Sequence, residues 1–375
     1  MKSILKSSLI VILCLTLLMQ TGCWDQRLYE EIGFILQFGF ETGPQNQLIM
    51  SVTVPSIEEE VDEKVEFMFE STEKLIRASR EKLRNSSGKM LLGGKTQNIF
   101  FSKELAEKGV DEFLEIFMRN PENPLLANII VVDGSPKEMM EAGIEYKDKP
   151  RLATYIAHLM RDAQRKYTAA ETRIFSYKIQ YYSKTIDTVA PLIRYDKEKI
   201  EIVGSALFRG DKMVGEINVD ETLLLNALMQ RKKIFEYIYK GDVPAQQKNA
   251  IKKGAALTIT HLKRNIDVDI IGNIPFFKVN LDLKAMLDEY AGEHKLGNDE
   301  YKKELEKLIE TALKDEILVL LKQLQKTGSD PIGFGEKLRA TKNEYWKTVN
   351  WQEIYKEAEF DVTTKVNIEF YGALE

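Results

Sequence analysis

Cys23 is the side chain whose surroundings point most directly to a chemistry. It ends the segment Met19-Gln20-Thr21-Gly22-Cys23. Small residues just before a cysteine resemble a lipobox, in which a lipid is placed on the thiol and the chain is cut between Gly22 and Cys23. Thr21 and Gly22 fit that pattern. Gln20 stands where Leu is usual. Upstream, Lys2 and Lys6 form a basic start, and Leu9 to Met19 is an apolar run of 11 residues with no charge between Ser7 and Gly22. This is the order of a secretory signal, and the run falls short of the roughly 20 apolar residues of a spanning helix. Cys14 lies inside the run, so its removal leaves Cys23 as the one remaining cysteine and no internal disulfide. A lipid there holds a chain at a bilayer because each buried methylene contributes about 0.8 kcal/mol. Trp24 follows directly and is expected at the headgroup level, where amphipathic rings are favoured.

Other candidate chemistries are weaker. Gly88-Lys89-Met90-Leu91-Leu92-Gly93-Gly94-Lys95-Thr96 invites a phosphate-loop reading, but Lys89 stands where that motif needs its first Gly, with Gly88 one residue too early. A Gly-rich turn between a helix and a strand accounts for it better. His158, His261 and His294 have no His or Cys at metal-site spacing, and no Gly-x-Ser-x-Gly elbow is present. Carboxylates are plentiful, yet none is singled out as an acid/base pair. The expectation is a binding or assembly protein with no cofactor and no metal, not an enzyme. Trp346, Trp351, Tyr345 and Tyr355 form the densest aromatic cluster. It reads first as a pin between the last helical segment and a C-terminal sheet, and second as a partner-facing patch.

The 375 residues are 44% hydrophobic and 30% charged, enough apolar material for two or three domains. The net charge is −5, and loss of Lys2 and Lys6 with residues 1–22 leaves −7. Such a balance gives no footprint for nucleic acid and no general attraction to anionic lipid, so attachment to a membrane must come from elsewhere.

Along the chain, Gly33 to Phe40 and Leu48 to Val54 read as a hairpin around Gly43-Pro44. Helices are expected over Thr72 to Leu83, after Ser102 as far as Gly109, after the capping box Ser135-Pro136-Lys137-Glu138 as far as Gly143, and over Leu152 to Ala163. Asn98 to Phe101 and Leu126 to Val132 read as strands. Pro191 to Lys199 reads as a connector, which divides the chain into residues 1–22 (signal), 23–196 and 197–375. Beyond it come strands at Ile200 to Phe208 and Met213 to Val219, a helix over Glu221 to Lys232, and three strands at Ala255 to Leu262, Ile266 to Ile271 and Pro275 to Leu283. A long helix capped by Asn298 or Asp299 carries Leu305, Ile309, Leu313, Ile317, Leu320 and Leu324 on one stripe and stops at Gly328. Phe360 to Phe370 is a last strand. The pattern is α+β, multi-domain, with largely antiparallel sheets and helices packed on one face.

Cys23-Trp24-Asp25-Gln26-Arg27 with Glu30-Glu31-Ile32-Gly33 resembles the mature start of the Ger(x)C spore germination lipoproteins. Gly204-Ser205-Ala206-Leu207-Phe208, Asp211-Lys212-Met213-Val214-Gly215 and Glu221-Thr222 resemble the opening of that family's C-terminal domain. Asp330-Pro331-Ile332-Gly333-Phe334-Gly335 with Trp346 and Trp351 resembles its end. The resemblance implies three α/β domains. It also implies a C subunit of a spore nutrient-germinant receptor, lipidated at Cys23 on the outer face of the spore inner membrane, with integral-membrane A and B subunits as partners. A solute-binding lipoprotein of an importer is the alternative; the antiparallel strand runs near 255–283 argue against its paired parallel lobes.

Overall fold

A computed structural model describes residue 8 and residues 28–55, 66–121, 123–146, 150–196, 199–230, 234–244, 253–292 and 299–370. Gly22, Cys23, Trp24, His294 and Asn298 lie outside the described residues.

The first half runs β1 (Ile32–Phe34), β2 (Gln37–Thr42), β3 (Leu48–Pro55), β4 (Glu66–Glu73), α1 (Ile76–Ser87), β5 (Met90–Leu92), β6 (Asn98–Ser102), α2 (Lys103–Lys108), α3 (Asp111–Arg119), β7 (Asn128–Asp133), α4 (Pro136–Ile144), α5 (Leu152–Arg165), α6 (Ile174–Ser183) and β8 (Val189–Asp196). The second half adds β9 (Lys199–Arg209), β10 (Lys212–Asn218), α7 (Val219–Leu228), β11 (Phe235–Tyr239), β12 (Ala255–Ile271), β13 (Ile274–Tyr290), α8 (Asp299–Thr327), α9 (Phe334–Thr341), α10 (Asn343–Trp346), α11 (Trp351–Ile354) and β14 (Glu359–Phe370).

Eight strands form one sheet in the order β10-β9-β8-β7-β6-β2-β3-β4. Its centre, β8-β7-β6-β2, is parallel, and antiparallel pairs flank it. The expected antiparallel character therefore holds at the flanks, and the sheet as a whole is mixed. The reason lies in the central runs. Every residue of β6 is buried, as are Ile129 to Val132 of β7, and a strand covered on both faces needs helices on both. Phe101, Ile129 and Val131 pack with Leu114 of α3 and Tyr177 of α6, whereas Phe100, Ile130 and Val132 pack with Met140 of α4 and Ile156 of α5. Helices on one face thus describes only the smaller C-terminal sheet.

The predicted hairpin is present, with Thr42 opposite Leu48. Its first strand is interrupted at Ile35-Leu36, because Ile35 N–H donates to Leu92 of β5 at 2.9 Å and Leu36 N–H to Thr53 of β3 at 3.0 Å. Consecutive amides pair into different sheets, so β1 joins β5 in a two-stranded parallel pair. Ser102 and Ser135 cap α2 and α4 as expected, accepting from Leu105 N–H at 3.2 Å and Glu138 N–H at 3.1 Å. The Ser135 cap is completed from another strand. Glu41 of β2 takes the Ser135 hydroxyl at 2.8 Å and Lys137 N–H at 3.0 Å, placing a carboxylate on the positive end of α4. Glu41→Ala should cost about 1–2 kcal/mol in chemical denaturation, a cap plus a dipole contact; an unchanged midpoint would mean that solvent replaces the carboxylate at no loss.

Residues 191–196, expected as connector, are strand β8. The eight-stranded sheet runs across that point, since β9 pairs with β8 in antiparallel register from Val189↔Leu207 to Asp196↔Lys199. One face of these strands (Ala190, Leu192, Phe208) serves the N-terminal core, and the other (Val189, Leu207) serves the C-terminal one.

The second sheet has the order β11-β12-β13-β14. The two strands expected at 255–262 and 266–271 are one strand of 17 residues, paired along its length with a β13 of equal length. The residues between them, Lys263 to Asn265, remain in register opposite Asp282 to Asn280. Strand β14 joins parallel to β13 at the sheet edge. Edge amides invite pairing with another chain, and α8 covers two of them: Glu310 accepts Val366 N–H at 2.9 Å and Glu306 accepts Ile368 N–H at 2.8 Å. The leucine stripe of α8 is buried from Leu305 to Leu324, and Gly328 follows it with φ 70°.

Candidate functional site: a buried acid junction between the two halves

The loop after α8 turns back on itself through one side chain. Asp330 Oδ1 accepts the N–H groups of Gly333 at 2.9 Å and Phe334 at 3.0 Å, and Oδ2 accepts Gly335 N–H at 2.7 Å. A carboxylate before Pro331 collects the orphan amides that open α9. Gly333 sits at φ 84°, which favours glycine. A Cβ on Gly335 would lie 2.6 Å from Trp351 Nε1, so the indole closes directly over the backbone.

This turn docks on the N-terminal half through Asp187, in the segment between α6 and β8. Asp187 Oδ2 accepts Asp330 N–H at 2.9 Å, and Asp187 N–H donates to the Asp330 carbonyl at 3.0 Å. Asp187 Oδ1 accepts Gly210 N–H at 3.2 Å, which adds the β9–β10 turn. Beside it Ser329 donates to the Phe208 carbonyl at 2.6 Å, and Thr185 donates to Glu336 at 2.9 Å. Two acids thus clamp three segments from both halves of the chain. Helix α6 is itself fixed on the N-terminal side, where buried Lys178 pairs with Asp111 and lies 5.3 Å from the ring centre of Tyr181.

Asp330 is 1% exposed, and burial pushes its carboxyl up to about 7 against the three amides that favour the ionised form. Burial also raises Asp187, opposed by the amides of Asp330 and Gly210. Tyr355 is buried next to both. Desolvation, then the two acids, lift its hydroxyl well above the ordinary tyrosine range, and that hydroxyl has no hydrogen-bond partner among the described residues. A cavity of about 340 Å³ opens here, lined by Gln180, Thr185, Asp187, Gly210, Trp351 and Tyr355. The arrangement joins segments of both halves through hydrogen bonds around two buried acids. No group of three metal-binding side chains occurs among the described residues.

The aromatic cluster belongs to the same junction. Trp351 and Tyr355 are buried and lie 5.0 Å apart between ring centres; Phe334 sits 4.9 Å from Phe277 of β13 and 4.8 Å from Phe360 of β14. These residues pin the last helices to the C-terminal sheet. Tyr345 and Trp346 are half-buried at the margin, with the Tyr345 hydroxyl donating to the Asn273 carbonyl at 2.7 Å. His158 and His261 are exposed on α5 and β12 and do not approach this site. Gly88 ends α1, and Thr96 closes the following loop by donating to the Gly93 carbonyl at 2.7 Å; that segment is a turn linking helix, strand and strand. Asp187 was not singled out by the sequence, and Thr-Ile-Asp-Thr offers no signal. Asp330 stood in a quoted motif without a role, although Asp-Pro with Gly three residues on is a turn pattern that gives one.

Comparison with known proteins follows the same two halves. Residues 25–195 match the family described as spore germination protein N-terminal domain, and residues 203–372 match that described as spore germination B3/GerAC like, C-terminal. The chain is similar to the spore germination protein GerQC of Bacillus cereus, with 26% identity over 94% of this chain and 96% of that protein. The crystal structure of the GerBC protein is similar in fold, with a TM-score of 0.57 and 19% identity, covering 88% of this chain and 96% of that one. Matched in both halves and in order, the chain belongs to the Ger(x)C family of spore germination proteins, related to germinant-receptor C subunits.

Proposed function

We propose that this chain is a lipoprotein C subunit of a spore nutrient-germinant receptor, held by a lipid on Cys23 at the outer face of the spore inner membrane. The observation that carries this reading is the order at the N-terminus: two lysines, an 11-residue apolar run, Thr21-Gly22, then Cys23-Trp24, joined to a body whose both halves match germination families. Among the described residues no helix is long and apolar enough to cross a membrane, which accords with attachment through a lipid. The subunit acts without catalysis, by assembly or signal transmission with the integral-membrane A and B subunits. A shared bilayer raises its effective concentration towards them. Residues 23–196 and 197–375 form its two regions, and the Asp187–Asp330 clamp lets them respond as one unit.

Fractionation with labelled fatty acid tests this. The wild-type chain should carry label and sediment with membranes, and Cys23→Ala should lose the label and leave the membrane fraction almost completely. Purification in mild detergent should bring the A and B subunits with the wild type. An unlabelled, freely soluble wild-type chain would refute the anchor; tight binding of a free sugar or amino acid by a chain recovered alone would favour an importer.

A further inference from the structure

The groove between α1 and the end of α3 collects positive charge in a chain whose net charge is −5. Arg77, Arg80 and Arg84 recur at spacings of three and four along α1 and so share a face. Arg119 joins them from α3, and Glu81 is the acid among the lining residues. Arg77, Arg84 and Arg119 are exposed, with Arg119 held by Glu115 at 2.6 Å. The groove holds about 570 Å³, and β5 forms one wall, where Met90 stays 39% exposed.

Its place in the fold gives this charge a partner. Strand β5 pairs with β1, Ile32 opposite Met90, and β1 is the first strand after the N-terminal segment. The described chain resumes at Leu28, which is 57% exposed and five residues from Cys23. Five residues span at most about 17 Å. A lipid on Cys23 therefore keeps Leu28 within about two screening lengths of the bilayer surface, at roughly 8 Å each, and β1, the partner of the groove strand β5, begins at Ile32 just beyond it.

We infer that the α1–α3 groove binds the phosphate head groups of anionic phospholipids and so sets how the body lies on the membrane. The inference rests on the lipid anchor proposed above for its geometry. Guanidinium forks match phosphate oxygens in pairs, and Met90 offers apolar contact in the groove wall. The anchor supplies attachment; the groove supplies orientation, which a single point of attachment cannot fix.

The test uses the protein purified from membranes, mixed with vesicles of phosphatidylcholine alone or with phosphatidylglycerol. Flotation reports attachment, and hydrogen exchange at α1 and β5 reports the groove. The wild type should float with both vesicles and show slowed exchange at α1 and β5 only with phosphatidylglycerol. Arg77→Gln with Arg84→Gln should still float with both and lose that protection, a change of roughly 30-fold in the docking equilibrium at about a factor of five per arginine. Lys82→Gln, on the same helix but outside the groove, should keep it. Flotation with both vesicles and equal exchange in each would overturn the groove and leave the anchor standing. Flotation with phosphatidylglycerol alone would overturn the anchor and leave the groove standing, and flotation with neither would overturn both. Protection from millimolar inorganic phosphate without phosphatidylglycerol would assign the groove to a soluble ion and overturn the lipid reading.

Discussion

Replacing Asp330 by alanine should lower the unfolding free energy by about 3–5 kcal/mol, since it strands three amides of the turn at once. The three N–H groups of Gly333, Phe334 and Gly335 all end on this carboxyl, and Asp330 N–H is itself bound to Asp187. Asp330→Asn keeps the shape and one acceptor but turns an amide donor toward one of the backbone donors, so it should cost about 1–3 kcal/mol. Chemical denaturation of the two variants beside the wild type measures both. A loss below about 1 kcal/mol in the alanine variant would mean that the turn is held by its backbone alone.

The same carboxyl makes the junction sensitive to pH. Its folded-state value is pushed up to about 7 from an ordinary value of 3.8, so over that interval the folded chain binds a proton that the unfolded chain has released. Stability from this group is full below the unfolded value, falls as pH rises towards about 7, and is level above it. The slope is at most about 1.4 kcal/mol per pH unit for one proton. Asp187, Glu66 and Glu316 are also raised by burial and pull in the same direction. The informative quantity is therefore the gap between wild type and Asp330→Asn. That gap should narrow between about pH 4 and about pH 7 and stay constant beyond. Parallel curves would show that Asp330 does not titrate in this range.

Legibility in the sequence followed the direction of burial. Helix α5 and the stripe of α8 were readable because their apolar residues face inward, as were the flanking hairpins. Strand β4 was missed because its pattern is inverted: Glu66 and Ser71 are buried, with Leu152 N–H donating to Glu66 at 3.1 Å, while Phe67 is 46% exposed. Helix α6 fails in the same way. It buries Lys178 against Asp111 beside Ile174 and Tyr177 and exposes Phe175, Ile179 and Tyr182, so apolar residues lie on both faces and the inward stripe does not stand out. The parallel centre of the large sheet was hidden because buried runs such as Ile129 to Val132 carry no alternation and give no strand direction. The junction was half legible. Asp330 and its glycines stood in a recognisable motif, but the partner acid comes from a segment 143 residues away in sequence, a relation that only the folded chain reveals. The arginines of α1 sat on a helix that was expected, yet the opposing Arg119 lies on α3, which was not.

Phe277→Ala should cost about 3–5 kcal/mol, whereas Trp346→Ala should cost about 1–2 kcal/mol, and the contrast tests what the aromatic cluster is for. Phe277 is fully buried in β13 and meets Phe334 at 4.9 Å, Phe360 at 5.6 Å and Trp351 at 6.3 Å between ring centres. Its removal opens a cavity in the layer that joins the acid turn to the sheet, and aromatic pairs add about 0.5–1.5 kcal/mol beyond the buried area. Trp346 is half-buried and touches the cluster through Trp351 at 6.0 Å, so truncation leaves most of the layer intact. If the cluster is scaffold, loss of the proposed membrane partners in detergent pull-downs should track loss of stability across the two variants. A Trp346→Ala chain that keeps its denaturation midpoint but no longer recovers those partners would instead make the margin of the cluster an interface, because a half-exposed indole beside a rigid buried layer is the form a binding anchor takes.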